Sequence, residues 1–426
     1  MFDKYIVLKR TTFFILLNFL ILGVSNLAHA VADFGNPGVL PVGRHQVTFR
    51  FGQVSEIQDK FSDSGKLQSP GRMNKRFDNA FLMTQAEFKA FAKIIDNQIL
   101  NRDVSSEVDL GAAEFKGNAS VDYFAPQIAR GITSIWSIGV AVPFVRYRSD
   151  IAVMNTGINT FERIGPTVVS AEQSPNLDPK IGRQIKAMIA GPRAIITNKL
   201  EDQNYKPISG RDEQFVGDVV LGSSLKLYDS KVVDFYLLHQ LTLPTGPKDD
   251  ADDLLDLNIF GKTQLQTVLF TNIDIARWLE LGIGVSYNWG IENDIEKRVP
   301  AFEGDDIPAA STKETLAKDP GDAIGAQIYS LAKLSDYYHL GLGYEMSRQQ
   351  ADDYSGSRNS RYDLLEKNTD KASGIAKFKF TYSAVDGFLR GQEKIPYSVT
   401  YAFADHLYGK NVERELTHEV LLKFYF

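Results

Sequence analysis

Histidines near serine or aspartate are the residues of this sequence that could perform catalysis. His239 has Ser223 on a neighbouring predicted strand, but we expect the two to lie diagonal at best, which is poor geometry for a serine hydrolase. Asp405-His406 resembles a protease acid–base pair, yet such a dipeptide is common in solvated loops. The chain lacks a phosphate-binding Gly loop, His-Glu-x-x-His and Gly-x-Ser-x-Gly. We therefore predict that the protein is not an enzyme and that it has no catalytic residues.

Five aspartates form an acidic run in the second half of the chain: Asp249, Asp250, Asp252, Asp253 and Asp256. Oxygen-rich loops can bind Ca²⁺, but this run lacks the ligand order and the central Gly of a helix–loop–helix site. A solvated outer loop is the favoured interpretation, and an ion bridge to lipopolysaccharide is the alternative. We predict no cofactor and no metal site.

Composition excludes several classes of protein. The 426 residues include no cysteine, which excludes a disulfide scaffold, a thiolate metal site and cysteine catalysis. The net charge is −6, and no Lys/Arg-rich block occurs, so we expect no nucleic-acid partner.

The N-terminus has the pattern of a secretory signal peptide. Lys4, Lys9 and Arg10 precede an apolar stretch at 13–24, and Ala28-His29-Ala30 is a small-x-small cleavage site. We predict that residues 1–30 are cleaved and that residues 31–43 form a periplasmic N-terminal segment. A membrane anchor is the alternative, but the apolar stretch is shorter than the ~20 residues that a spanning helix needs.

Alternation of large apolar with small or polar residues predicts β-strands throughout the rest of the chain. The C-terminal strand is an example, with Leu416, Val420, Leu422 and Phe424 on one face and Glu419 and Lys423 on the other. We predict twelve strands, near 44–54, 113–129, 134–148, 213–228, 232–244, 262–275, 278–290, 322–334, 338–348, 371–383, 394–404 and 413–426. Short and long connections alternate, as in outer-membrane barrels. Pro126 should lie at an irregularity of its strand.

The predicted fold is therefore all-β, a transmembrane antiparallel up-and-down barrel over residues 44–426, with long outer loops containing short helices. A soluble β-sandwich or barrel is the alternative, but its polar face would meet water and would have no reason to be rich in small residues. We expect one helix in the outer loop at Phe88–Ile99 and a second near Pro179–Ala190.

Small and ionisable residues on the polar face predict a path for solute through the lumen. We expect it to be lined by Gly282, Gly284, Gly341 and Gly343, with Glu280, His339, Glu345, Lys377 and Lys379 beside them. About twelve strands make a lumen that side chains need not fill. The predicted function is a channel for passive uptake of a small molecule. The alternatives are a non-transporting surface or structural protein and, less favoured, a barrel protease or lipase.

One stretch carries a family resemblance. Residues 129–143 (ARGITSIWSIGVAVP), with Gly217-Asp218 and the later Leu243-Pro244-Thr245-Gly246, resemble landmarks of the outer-membrane proteins of the meta-pathway phenol-degradation family. Ser134 stands where that group often has an acid. A looser similarity, through Asn36-Pro37-Gly38, is to fatty-acid and aromatic-hydrocarbon channels. The resemblance implies a hydrophobic or aromatic solute and a Gram-negative outer membrane. The expected partners are outer-membrane lipid, lipopolysaccharide and the barrel-assembly machinery.

Overall fold

The computed structural model describes residues 38–55, 57, 59–68, 75–78, 108–160, 179–256, 260–303 and 305–426. The strands are β1 (His45–Val54), β2 (Asp59–Phe61), β3 (Leu67–Gln68), β4 (Lys75–Asp78), β5 (Asp109–Thr133), β6 (Trp136–Ala141), β7 (Phe144–Thr156), β8 (Arg211–Val216), β9 (Val219–Asp229), β10 (Val233–Leu243), β11 (Gln264–Ala276), β12 (Leu279–Gly290), β13 (Asn293–Arg298), β14 (Lys313–Asp319), β15 (Ala323–Lys333), β16 (Tyr338–Gln349), β17 (Asp353–Ser355), β18 (Lys371–Ser383), β19 (Tyr397–Lys410), β20 (Val412–Arg414) and β21 (Leu416–Tyr425). The helices are α1 (Pro179–Ala190), α2 (Pro192–Asp202), α3 (Asp363–Glu366) and α4 (Val385–Leu389).

Twelve antiparallel strands close into a barrel, as the alternation predicts. The order around the wall is β1, β21, β19, β18, β16, β15, β12, β11, β10, β9, β6 and β5. β1 pairs with β21 on one side and with β5 on the other, which closes the ring. β6 continues into β7, and β8 continues into β9. β7 pairs with β5 on one side and with β8 on the other, so these two segments extend the wall strands formed by β6 and β9.

Pro126 lies at an irregularity, as expected for a residue without a backbone N–H. β5 pairs with β7 up to Phe124 and with β6 from Gln127 onward, so its partner changes at Pro126. The neighbouring strand is interrupted at the same level by Val142-Pro143, and the Val142 N–H donates to the Pro126 carbonyl.

The outer face of the barrel is an apolar belt bordered by aromatic residues. Large side chains such as Val285 and Leu342 are 51% and 54% exposed on this face. At the end with the short turns, Tyr338, Tyr382 and Tyr397 lie with neighbouring ring centroids 5.5 and 5.9 Å apart. On β12, Leu279 to Trp289 spans about 34 Å along the strand, or about 26 Å along the barrel axis at a tilt near 40°, which matches the ~25 Å apolar band of membrane barrels.

At one end, four of the five connections are short and only that between β18 and β19, residues 384–396, is longer, whereas most connections at the other end are long. The final outer connection differs from the prediction, because β19 continues to Lys410 and only residues 411–415 separate it from β21. The predicted strand 394–404 was therefore too short, and the predicted loop position of Asp405-His406 was wrong. β19 keeps pairing with β18 as far as Lys410, across a register shift next to Gly374.

Two helices lie in the long connection between β7 and β8. α1 has the predicted bounds, Pro179–Ala190, whereas the adjoining helix α2 was not predicted. The predicted helix Phe88–Ile99 and the predicted signal peptide lie outside the described residues. In the described ranges, no helix combines the length and the apolar character needed to cross a membrane.

Candidate functional site

The inner face of the barrel is polar, and several of its charged side chains are almost fully buried. Arg50 and Glu419 are 2% and 1% exposed, on the neighbouring strands β1 and β21. The Tyr123 hydroxyl donates a hydrogen bond to Glu419 from across β1. Buried polar groups are stable only when they have hydrogen-bond partners. The wall around β1 is therefore lined by a packed polar network and not by open space.

The predicted glycine strip lies on the inner face, but aromatic rings cover its first half. A Cβ on Gly282 would lie 1.9 Å from the Tyr329 ring, and a Cβ on Gly284 would lie 2.7 Å from the Phe270 ring. The Tyr329 hydroxyl lies 2.7 Å from the Glu280 carboxylate, which accepts its hydrogen bond. These glycines make room for aromatic side chains. The alternation along one strand could not show this, because the rings come from the neighbouring strands.

The other predicted residues lie on β16 and β18. Lys377 donates to the Glu345 carboxylate at 2.6 Å, so these two charges compensate each other. Gly341 lies opposite Lys379, and His339 lies opposite Thr381. β15 separates this group from Gly282 and Gly284, so the strip is not one contiguous groove. A role of these residues in solute passage stays a prediction.

Alanine at position 282 should destabilise the barrel by about 1–3 kcal/mol, since overpacking forces neighbouring side chains off their rotamers. The Tyr329 ring is 2% exposed and stacks on Phe270 with ring centroids 5.5 Å apart, so it has little room to move. Gly222→Ala is the matched control, because nothing lies within 4 Å of its added Cβ. Urea unfolding in lipid vesicles measures both variants. If the Gly282→Ala and Gly222→Ala variants are equally stable, the Tyr329 ring does not pack against Gly282.

At the short-turn end, residues 38–42 lie against the inner wall. The Leu40 N–H donates to Ser137 Oγ at 2.8 Å, and Ser224 Oγ donates to the Gly38 carbonyl at 3.0 Å. A Cβ on Gly131 would lie 2.2 Å from the Pro41 carbonyl oxygen. Residues 38–42, which the sequence placed in a periplasmic segment, therefore occupy part of the lumen at this end.

The outer half of the lumen contains a cavity of about 100 Å³, here called the outer chamber. Its lining comes mainly from β10, β11, β12, β15, β16 and β18, and includes the Gln240, Gln266 and Asn288 carboxamides. Lys371 and His406 also border it. Among its lining residues, only Glu345 belongs to the solute path predicted from the sequence. The period of two does predict that Gln240 and Asn288 face inward, but it does not show that they meet.

The acidic run is not a solvated loop, because basic side chains from other outer connections pair with it. Together with α2, β13 and β14, residues 244–256 form the outer cap. Its ion pairs are Asp249–Lys297 at 3.3 Å, Asp250–Lys206 at 2.9 Å, Asp252–Arg298 at 2.7 Å, Asp252–Lys313 at 3.1 Å and Asp253–Arg211 at 2.6 Å. Arg298 also lies over the Tyr205 ring, 3.8 Å from its centroid. The negative charge is therefore balanced within the chain, and no group of three or more His, Asp or Glu in the described residues could hold a metal ion.

The environment of the cap shifts the pKa values of these aspartates in both directions. Burial acts to raise the pKa of Asp252, but hydrogen bonds from Arg298 and Lys313 outweigh it, so this pKa lies below its usual value. Burial raises the pKa of Asp256, and the hydrogen bond from the Asp250 N–H opposes the rise without cancelling it. The cationic partners thus keep Asp252 ionised in the folded protein.

The described residues form neither of the two catalytic arrangements considered from the sequence, the Ser223/His239 pair of a hydrolase and the Asp405-His406 pair of a protease. Ser223 lies directly opposite His239, so the predicted diagonal position was wrong. However, His239 Nδ1 lies 2.9 Å from Thr267 Oγ1, and Ser223 Oγ accepts a hydrogen bond from the Trp136 indole. Asp405 lies next to His406 in β19, where Asp405 pairs with Arg414 and His406 borders the outer chamber.

Comparison with solved structures shows the fold. An outer-membrane channel from Pseudomonas putida F1 is 12% identical, with a TM-score of 0.51 over 92% of this chain and 99% of that one. The toluene transporter TbuX of Ralstonia pickettii gives 8% identity and a TM-score of 0.34, with 91% of this chain and 90% of that one covered. The NalP autotransporter translocator of Neisseria meningitidis gives 8% and 0.37, with 93% and 91% covered. No protein-family profile and no curated protein matches the sequence, so the phenol-degradation resemblance stays a prediction.

Proposed function

We propose that this protein is an outer-membrane channel through which a small solute enters passively. The observation that carries the proposal is the closed barrel whose apolar belt faces outward while its polar inner face surrounds the outer chamber. An exposed apolar belt of this extent favours contact with lipid over contact with water. The similarity in fold to the Pseudomonas putida channel is consistent with the proposal.

Several parts of the proposal rest on the sequence alone. They are the cleaved signal peptide at 1–30, the Gram-negative outer membrane, and lipid, lipopolysaccharide and the barrel-assembly machinery as partners. The hydrophobic or aromatic solute rests on the family resemblance. The polar lining of the outer chamber favours a different class of solute. A non-transporting surface protein is the competing function, for which the packed outer cap would be the working surface.

Valine at position 131 should increase single-channel conductance in planar bilayers. Its side chain would collide with the backbone of Leu40 and Pro41, and would therefore displace residues 38–42 from the lumen. Gly222→Val is the matched control, because it adds the same bulk on the same face where nothing lies within 4 Å. We expect its conductance to equal or fall below that of the wild type. A wild type without conductance in well-folded preparations would remove the channel proposal and favour the surface protein.

A further inference from the structure

The outer chamber differs in chemistry from the other end of the lumen. Five carboxamides border it, from Gln240, Gln264, Gln266, Asn288 and Gln349, together with four serine or threonine hydroxyls. No Phe, Tyr or Trp is among its described lining residues. Nearer the short turns, by contrast, Tyr236, Phe270 and Tyr329 form a buried aromatic cluster. The chamber therefore offers many hydrogen bonds, and the His406 imidazole is the one aromatic ring among its described lining residues.

Two of the carboxamides have an unused acceptor. Gln240 Oε1 and Asn288 Oδ1 are buried and have no hydrogen-bond partner among the described residues. They lie on β10 and β12, the two strands that flank β11, so both border the same part of the chamber. A buried acceptor without a partner is unfavourable, and each carboxamide would gain a partner by turning its oxygen toward a hydroxyl group in the chamber.

The acidic side chains at the chamber already have cationic neighbours. The Glu345 carboxylate lies 2.6 Å from Lys377 Nζ, and the Glu413 carboxylate lies 3.8 Å from Lys60 Nζ. A ligand therefore does not need a positive charge to compensate them. Lys371 contributes ammonium donors to the same lining. Carboxamides, hydroxyls and one ammonium group together suit a ligand with several hydroxyl groups, each of which both donates and accepts.

We propose that the outer chamber is a binding site for a small uncharged polyol, of a size between glycerol and a pentitol. This inference rests on the proposed channel function and names its class of solute. Such a solute replaces its hydration shell with the carboxamides, while an aromatic solute would leave these groups buried without partners. An anionic solute held by Lys371 is the competing class, and the experiment separates the two.

The test uses ribitol, ribonate and phenol as probes at equal concentrations. Each is added to the wild type in planar bilayers, and the fall in open-channel current measures occupancy. Equilibrium dialysis with radiolabelled ribitol measures binding in detergent in parallel. We expect ribitol to bind most tightly, and the Gln240→Leu/Asn288→Leu variant to bind it at least tenfold more weakly. Gln53→Leu, an exposed change near the outer end of β1, is the control and should match the wild type.

Each result has a defined meaning. Tighter binding of phenol, tenfold tighter binding of ribonate, or undiminished binding of ribitol to the double variant overturns the polyol site. If the double variant does not fold, the single Asn288→Ala variant replaces it, with a smaller but measurable loss expected. A wild type that conducts but does not bind ribitol overturns this inference alone. A wild type that binds ribitol in dialysis but conducts no current overturns the channel and leaves the site supported.

Discussion

Arginine in place of Ile328 should destabilise the folded protein by about 2–4 kcal/mol, the cost of a charged side chain at the middle of the lipid face of a membrane barrel. Ile328 lies at the centre of β15 and is 48% exposed on the outer face. Its neighbours across the strand pairs are Ile283 and Tyr344, so the charge would lie within apolar surface on both sides. Urea unfolding in lipid vesicles, followed by the gel mobility of the folded form, measures the effect.

Ile158→Arg is the matched control for this change. Ile158 is 78% exposed, but it follows the end of β7 on the side of the long connections, beyond the apolar belt. Surface substitutions away from special features usually change stability by less than about 0.5 kcal/mol. If both arginines have equally small effects, the exposed apolar face does not contact lipid, and a soluble barrel with another use for this face would be favoured.

Methionine in place of Arg211 should lower the free energy of local unfolding of the outer cap by about 3 kcal/mol, because it leaves the buried Asp253 carboxylate without its main cationic partner. The Arg211 and Asp253 side chains are only 12% and 4% exposed, and their second hydrogen bond measures 2.6 Å. Without Arg211, the ion pair left to Asp253 among the described residues is the one with Lys206 at 3.6 Å. Native-state hydrogen exchange of the amides in residues 250–256 measures the change.

The ion pair of Arg361 with Asp363 supplies the control, since both side chains are more than half exposed. Exposed pairs contribute at most about 1 kcal/mol, so Arg361→Met should leave exchange in the cap almost unchanged. Equal protection in the two variants would mean that the aspartates of residues 249–256 are solvated in the folded protein. That result would restore the interpretation drawn from the sequence and reopen the possibility of a cation site.

The alternation along the chain was sufficient to predict the fold and the orientation of most side chains in the wall. A period of two requires only the local geometry of a strand, so it correctly placed Val285 outside and Ser286 inside without any knowledge of their neighbours. The apolar and aromatic residues at the strand ends then predicted the belt. Twelve such strands, joined by alternating short and long connections, allow few arrangements other than an up-and-down barrel.

The same alternation did not predict which side chains fill the space inside the wall. Tyr329 covers Gly282 from the next strand, and Leu40 reaches Ser137 across 97 residues of sequence. Arg211 reaches Asp253 from another outer connection in the same way. Alternation shows which face a side chain occupies, but not how far it extends over its neighbours or which opposite charge lies within reach. Those contacts depend on the register between strands and on the closure of the barrel, both of which are set by many residues together.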